Sequence, residues 1–233
     1  MRRLGVICAR QGSKGLPGKN LRLLGGVPMI VHTIRQAQSC GKFDAIAVSS
    51  DSQEILDVAT AYGVVHTVLR PPELATDQAS KVLAIRHCML EVERVTAQYD
   101  YIADLDCTVP FRLPSDINNA FEKIESAAVS TLISGTPARR LPYFNIVELN
   151  EDGFVRISKP TEPPLTRRQD SPACFDMNAS IHIWLRERLL TSDERFQDDT
   201  ILFVMPFERS IDIDTDIEFE INELLMKKYG LIQ

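Results

Sequence analysis

The sequence predicts an α/β fold with a mostly parallel sheet that is covered by helices on both faces. Short apolar runs of strand length alternate with amphipathic segments of helix length from residue 4 to residue 134. Parallel strands need long crossover connections, and right-handed crossovers place helices against the sheet. The chain has 233 residues, of which 44% are hydrophobic, so we expect a single domain over 1–233. Ligands of such sheets bind beyond the carboxyl ends of the strands, where the polar residues that end each strand become site candidates.

The elements follow one another in a regular order. The first helix has both boundary signals, because Pro28 lies in its first turn and Gly41 comes just after its end. The same periodicity predicts strands over 4–9, 44–50, 64–69, 101–106, 129–134 and 201–205, and helices over 28–40, 52–63, 80–96, 114–127, 185–190 and 216–229.

The alternation stops between residues 138 and 175. Two strand-like runs, 143–149 and 154–158, flank an Asp-Gly turn and predict a hairpin. The prolines that follow at 160, 163 and 164 keep the chain out of a helix. We therefore expect an insertion that packs against something other than the sheet.

A glycine-rich basic loop follows the first strand. Glycines allow successive backbone N–H groups to converge on an anion, and cations supply the charge that a polyphosphate needs. A Walker loop and a dinucleotide fingerprint both require other spacings and a helix that starts at the loop, so the pattern disfavours a P-loop kinase. The predicted phosphate-binding residues are Arg10, Gly12, Ser13, Lys14, Lys19 and Asn20.

Two carboxylates near the C-terminus form a candidate metal site. Asp212 and Asp214 are two apart in an extended segment, so their side chains point the same way. Magnesium commonly uses one or two carboxylates together with substrate phosphates, and we expect Mg²⁺ here. The other interpretation is an acidic cap for the last helix, a role that suits Asp216.

Charge and cysteine content exclude several classes of protein. The formal net charge is −6, which argues against nucleic acid as a partner. The five cysteines are odd in number and form no C-x-x-C pair, which disfavours a disulfide framework or a zinc site. No apolar run reaches the length of a membrane span or resembles a signal peptide, so we expect no membrane partner and a cytoplasmic protein.

Several segments together resemble the CMP-sugar synthetases, the acylneuraminate cytidylyltransferases that activate sialic acid and related 3-deoxy-2-keto sugar acids. The segments are the loop 9–20, "RPPELATD" at 70–77, "DLDCTVPFR" at 104–112, the run from 167 to 184 and "IDIDT" at 211–215. "MNASI" at 177–181 is most similar to members that activate legionaminic acid. The resemblance implies a three-layer Rossmann-like fold of the nucleotide-diphospho-sugar transferase type, and identifies 138–175 as a dimerisation arm of a homodimer.

The resemblance also implies site residues. Arg70 and Ser80 would contact the cytosine and ribose of CTP. Asp106 replaces a glutamine that faces the sugar in the family, and either a sugar contact or a metal contact is open for it. The other residues implied at the sugar are Arg168, Asn178, His182, which stands where many members have tyrosine, and Phe196. Two adjacent arginines at 167 and 168 also fit a solvated turn.

These expectations combine into one reaction. The C2 hydroxyl of the sugar acid attacks the α-phosphate of CTP and expels pyrophosphate, with Arg10, Lys19, Asp212 and Asp214 as the catalytic residues. A metal-bound water or hydroxide, or Asp106, remains open as the proton acceptor. The alternatives are a cytidylyltransferase for the eight-carbon sugar acid Kdo and a non-catalytic sugar-nucleotide-binding protein.

Overall fold

Seven strands form the main sheet in the computed structural model, which describes residues 1–12 and 15–233. Two further two-stranded ladders lie outside it. In chain order the elements are β1 (Arg3–Cys8), β2 (Leu23–Leu24), β3 (Val27–Pro28), α1 (Met29–Ser39), β4 (Ala45–Ser50), α2 (Gln53–Ala61), β5 (His66–Leu69), α3 (Lys81–Glu93), β6 (Tyr101–Leu105), α4 (Pro114–Ala127), β7 (Thr131–Pro137), β8 (Val147–Leu149), β9 (Val155–Ile157), β10 (Phe175–Leu185), α5 (Arg186–Thr191), β11 (Ile201–Val204) and α6 (Asp216–Lys228).

The strand order of the main sheet is β11-β7-β10-β6-β1-β4-β5. The pairs β1–β4, β1–β6, β4–β5 and β7–β11 are parallel, whereas β10 is antiparallel to both β6 and β7. The predicted α/β class with a mostly parallel sheet is therefore confirmed. The sequence prediction assigned no strand to residues 175–185, which form the longest strand of the sheet.

Helices cover both faces of the sheet, which gives three layers. One face packs against α1, α2, α4 and α6 through a core that includes Ile34, Ile55, Phe121 and Met226. The other packs against α3 and α5 around residues such as Met89, Trp184 and Leu189. Burial of large apolar side chains on both faces stabilises the sheet from each side.

The chain order reverses on either side of β1, because β4 and β5 lie to one side and β6 to the other. Such a switch point opens a crevice at the carboxyl ends of the two central strands, where loops leave in opposite directions. The residues that follow β1 and β6 therefore share one crevice.

The hairpin of the expected insertion is present, with shorter strands than predicted. β8 and β9 pair antiparallel, and Gly153 in the turn has a φ of +82°, which a side chain would strain. Apolar side chains of the hairpin are exposed, among them Leu149 and Phe154. The predicted role of 138–175 in dimerisation stays a prediction.

Among the described residues, the helices are all too short or too polar to cross a membrane.

Candidate active site

A cleft of about 400 Å³ opens at the switch point of the sheet. Its walls come from the loop after β1, the segment between β5 and α3, the end of β6 and the segment before α6. Six residues that the sequence predicted as site residues line it: Arg10, Lys19, Asn20, Arg70, Asp106 and Asp214. The fold thus brings together side chains that lie up to 204 positions apart, from Arg10 to Asp214.

The basic loop is fastened at its two ends. The Asn20 side chain donates to the Arg10 carbonyl at 3.0 Å, and the Asn20 carbonyl accepts from the Ile30 amide at 3.0 Å. Gly18 has a φ of +67°, and Gly12 is exposed at the mouth of the loop. Ser13 and Lys14, both predicted to bind phosphate, lie outside the described residues.

The cations of the cleft have carboxylate or carbonyl partners. Arg10 forms an ion pair with Asp77 at 2.7 Å. The buried Lys19 donates to the Ile213 carbonyl and to the Asp214 carboxylate, each at 2.8 Å. A polyphosphate entering the cleft would compete with these carboxylates for the same ammonium and guanidinium groups.

Arg70 is fixed at the edge of the cleft by the end of β4. Its Nη2 donates to the Ser49 carbonyl at 2.9 Å and its Nε to the Ser49 hydroxyl at 3.2 Å. Burial and these bonds hold the guanidinium in one orientation, which suits a residue that would recognise a planar base.

The acidic segment 209–215, which precedes α6, is anchored by several parts of the fold, among them the basic loop through the bond from Lys19 to the Ile213 carbonyl. Arg209 forms a bidentate pair with Asp116 of α4, with both distances at 2.9 Å. Further anchors are the bonds from Asn178 to Ser210 at 2.8 Å, from Asn222 to the Ile211 carbonyl at 3.2 Å and from the Ile213 N–H to the Thr108 carbonyl at 2.8 Å. Its two carboxylates therefore sit on a braced backbone.

Asp212 has the features of a cation ligand. Its Oδ1 atom is buried and has no hydrogen-bond partner among the described residues. Burial, with the neighbouring Asp106 charge, raises the pKa of Asp212 to about 6. A cation at this oxygen would supply the missing partner and favour the ionised form. Asp214 contacts Lys19 instead and leaves most of its side chain exposed.

No group of three or more His, Cys, Asp or Glu side chains is arranged for a metal within residues 1–12 and 15–233. A magnesium site built on Asp212 and Asp214 would thus need oxygen atoms from the substrate, as is usual for this ion.

Asp106 lies at the end of β6 and is held by two donors. Its Oδ1 accepts from the Thr108 amide at 3.0 Å, and its Oδ2 accepts from the Lys81 ammonium at 2.6 Å. Burial raises the pKa of Asp106, but Lys81 and Thr108 outweigh this effect and lower the pKa to about 2. So weak a base is poorly matched to taking a proton near neutral pH, which favours a binding role for Asp106.

The other predicted site residues do not line the cleft in the part of the chain that the structure describes. Ser80 stands at the start of α3 without a side-chain capping bond. Arg168 lies in a short 3₁₀ turn, where its Nη2 donates to the Ala138 carbonyl at 3.2 Å, and Phe196 is exposed. Their contacts with substrate stay predictions.

Asn178 and His182 are buried in β10. The Asn178 amide is used internally, because its Oδ1 accepts from Ser134 at 2.5 Å and its Nδ2 donates to Ser210. His182 packs edge-to-face on Trp184 with 5.6 Å between ring centroids. In the structure Asn178 holds the acidic segment through Ser210, and His182 packs against Trp184 within the same strand. Their predicted contact with the sugar stays a prediction.

Sequence reasoning missed three residues at this site: Lys81, Asp104 and Gly15. Asp104 lies in β6 and Asp106 directly follows that strand, and a spacing of two in an extended segment, which the sequence shows, places both side chains on one face. The sequence marks Gly15 only as part of the basic loop, yet a Cβ there would lie 2.3 Å from the Asp214 carbonyl oxygen. Lys81 gave no signal, because nothing in a helix start indicates which strand it faces.

The chain is similar in sequence to known proteins over nearly its whole length. A family model described as cytidylyltransferase matches residues 4–222. The chain is 41% identical over 229 residues to post-translational flagellin modification protein B of Campylobacter coli, and 40% identical over 229 residues to the CMP-N,N′-diacetyllegionaminic acid synthase of Campylobacter jejuni. Each alignment covers 98% of this chain and 96% of the relative.

The fold is also similar to a solved structure, a CMP-2-keto-3-deoxy-manno-octonic acid synthetase complexed with CTP. The TM-score is 0.70 with 18% identity, and the superposition covers 98% of this chain and 100% of the other. At that identity the likeness concerns the fold alone.

Proposed function

Because this chain belongs to the cytidylyltransferase family, we propose that it transfers CMP from CTP to the C2 hydroxyl of a nonulosonic acid and releases pyrophosphate. The family makes it a nucleotidyltransferase, and the acceptor that we propose is a sugar acid of the legionaminic or sialic type. The observation that carries most weight is the cleft at the switch point, where Arg10, Lys19 and Arg70 face Asp106 and Asp214. Similarity over nearly the whole chain to a synthase named for legionaminic acid supports the choice of acceptor.

The cationic side of the cleft suits the triphosphate of CTP. Arg10 and Lys19 both have their cationic groups there, where they form ion pairs with Asp77 and Asp214. Charge develops on the leaving pyrophosphate, and fixed cations in a partly buried cleft stabilise it. Gly12, Ser13, Lys14 and Asn20 complete the proposed phosphate loop, with Arg70 and Ser80 at the nucleoside.

Asp212 and Asp214 would hold Mg²⁺, and the buried Asp212 Oδ1 without a donor is the feature that fits this role. Bound there, the ion would neutralise phosphate charge and help to align the α-phosphate. Arg209, Asn178 and Asn222 would keep the two carboxylates in place through the bonds described above.

The acceptor would lie on the side of the cleft that Asp106 lines. The attack needs the C2 hydroxyl close to the α-phosphate and in line with the bond that breaks, so positioning supplies much of the rate. Arg168, Asn178, His182 and Phe196 are proposed at the sugar from the resemblance alone. The enzyme is further proposed to act as a cytoplasmic homodimer.

The deciding experiment measures pyrophosphate release from CTP and Mg²⁺ with separate acceptors. The acceptors are N,N′-diacetyllegionaminic acid, N-acetylneuraminic acid, pseudaminic acid and Kdo. We expect release with a nonulosonic acid and none with CTP alone. No release with any acceptor, while CTP still raises the melting temperature, would contradict the proposed reaction and favour a binding role.

The metal assignment is tested by Asp212→Asn. The variant loses an ionised ligand, so we expect turnover to fall by about 100-fold or more. The melting temperature should not fall, because the substitution removes a charge whose pKa burial raises. Asp216→Asn is the matched control, because Asp216 pairs with Arg22 at the start of α6 and is exposed. Near-normal activity of Asp212→Asn with Mg²⁺ would show that the metal assignment is wrong.

A further inference from the structure

Three charged side chains, Lys81, Asp104 and Asp106, form a cluster beneath the cleft. The Lys81 ammonium lies 2.6 Å from a carboxylate oxygen of Asp104 and 2.6 Å from one of Asp106. Asp104 is completely buried, whereas the side chains of Asp106 and Lys81 are 16% and 26% exposed. The cluster therefore has a closed end at Asp104 and an open end that lines the cleft.

The cluster orients Asp106 strictly. One oxygen of Asp106 accepts from Lys81 and the other from the Thr108 amide, so the carboxylate can rotate only by breaking a charge-assisted bond. An ionised carboxylate accepts hydrogen bonds and donates none, and each oxygen keeps a further lone pair. The Asp106 carboxylate therefore presents two hydrogen-bond acceptors to a ligand in fixed positions.

The same contacts give Lys81 a different role from Arg10 and Lys19, the cations that we propose for phosphate binding. Burial lowers the pKa of Lys81, but the carboxylates of Asp104 and Asp106 outweigh it and raise the pKa above its ordinary value. Its charge is thereby committed to two carboxylates. A phosphate approaching this point would also meet the Asp106 charge and be repelled. The ligand that suits the Asp106 side of the cleft is a group with hydroxyl or amide N–H donors.

We propose that Lys81 is a positioning residue that fixes the Asp106 carboxylate as an acceptor for a hydroxyl or amide N–H group of the sugar acid. Asp104 is the buried anchor that holds the Lys81 ammonium in place. This inference rests on the proposed function for the identity of the ligand. It makes the cluster a determinant of acceptor binding and leaves CTP binding to Arg10, Lys19 and Arg70.

The test is a double-mutant cycle on Lys81→Met and Asp106→Asn. Lys81→Met should raise the KM for N,N′-diacetyllegionaminic acid by about tenfold, since a hydrogen bond to a charged group is lost or misaligned. The KM for CTP should change by less than about twofold. Because Lys81 acts through Asp106, the double variant should be no worse than Asp106→Asn alone by more than about twofold.

Two further variants are controls, one for the loss of a lysine as such and one for the buried charge that Lys81→Met leaves unpaired. Lys42→Met removes a lysine that pairs with Glu122 at 3.8 Å outside the cleft, and should leave both KM values unchanged. Lys81→Met leaves Asp104 buried without its cation, so Lys81→Met/Asp104→Asn removes that charge as well. We expect Lys81→Met/Asp104→Asn to fold and to keep the raised KM for the sugar acid.

Calorimetric binding of the sugar acid separates this inference from the proposed function. Binding by the wild-type protein without turnover would contradict only the proposed reaction, and the affinities of the variants would then decide the role of Lys81. A Lys81→Met effect that falls on CTP, or effects of Lys81 and Asp106 that simply multiply, would overturn the inference. Absence of any sugar-acid binding by the wild type would overturn both.

Discussion

His182 links a single side chain to the pH dependence of stability. Burial lowers the pKa of His182 to about 3 from an ordinary value of 6.5, and the Lys81 and Arg195 charges add to the effect. The unfolded chain therefore binds a proton below pH 6.5 that the folded protein does not, so stability is lost as the pH falls. The expected loss is about 2 kcal/mol between pH 6.5 and about pH 5.

His182→Phe isolates this contribution. Phenylalanine keeps an aromatic ring beside Trp184 and removes the titrating nitrogen, so the variant should show a shallower loss of unfolding free energy on acidification. Urea unfolding of both proteins at several pH values measures it, and the difference cancels the other titrating groups, His32 included. An equal pH dependence of the unfolding free energy in the two proteins would mean that His182 binds its proton as readily in the folded state as in the unfolded chain.

At the scale of elements, the loop after β1 and the acidic segment before α6 depend on a close contact at Gly15. A Cβ there would lie 2.3 Å from the Asp214 carbonyl oxygen, a distance that forces backbone to move. Gly15→Ala should therefore shift Asp214 away from Lys19 and lower turnover by about tenfold or more, because misplacement by about 1 Å is costly to catalysis. Steady-state kinetics with a melting curve checks this.

Gly41→Ala provides the comparison for that prediction. Gly41 has a φ of +66° and no atom within 4 Å of an added Cβ, so alanine there brings backbone strain of about 1 kcal/mol without a clash. Gly41 does not line the cleft, and we expect lower stability with unchanged kcat. If both variants lost activity in proportion to stability, the contact at Gly15 would have no special role.

The elements also show why part of the fold was predictable from the sequence. Arg10, Arg70 and Asp106 lie at the ends of predicted strands, and the carboxyl ends of parallel strands meet at one edge of a sheet. The sequence therefore predicts that these side chains are close together, and the structure places all three in one cleft. The sequence does not predict β10, because buried polar residues interrupt the apolar pattern that normally indicates a buried strand. These residues are Asn178, Ser180 and His182. Their partners lie far away in sequence, as Ser134 does for Asn178, and such pairings are visible only in three dimensions.

At the scale of the whole molecule, the exposed hairpin β8–β9 is the feature that a single chain explains least well. Val147, Leu149, Phe154 and Val155 expose 53%, 69%, 70% and 66% of their surface. An isolated two-stranded hairpin is marginally stable in water, and a cluster of exposed apolar side chains marks an interaction surface. A second copy of the chain would cover the same surface on both subunits, as a two-fold dimer requires.

The dimer prediction is tested by Leu149→Ser/Phe154→Ser. We expect light scattering to give about twice the chain mass of 26.2 kDa for the wild type and a single chain mass for the variant. The matched control is Ile217→Ser/Leu224→Ser on α6, where the side chains are 69% and 68% exposed, and it should remain dimeric. A monomeric wild type, or a dimer that survives the hairpin variant, would refute the prediction. Since the hairpin packs outside the main sheet, the variant should also keep the CTP-induced rise in melting temperature, which distinguishes loss of assembly from loss of fold.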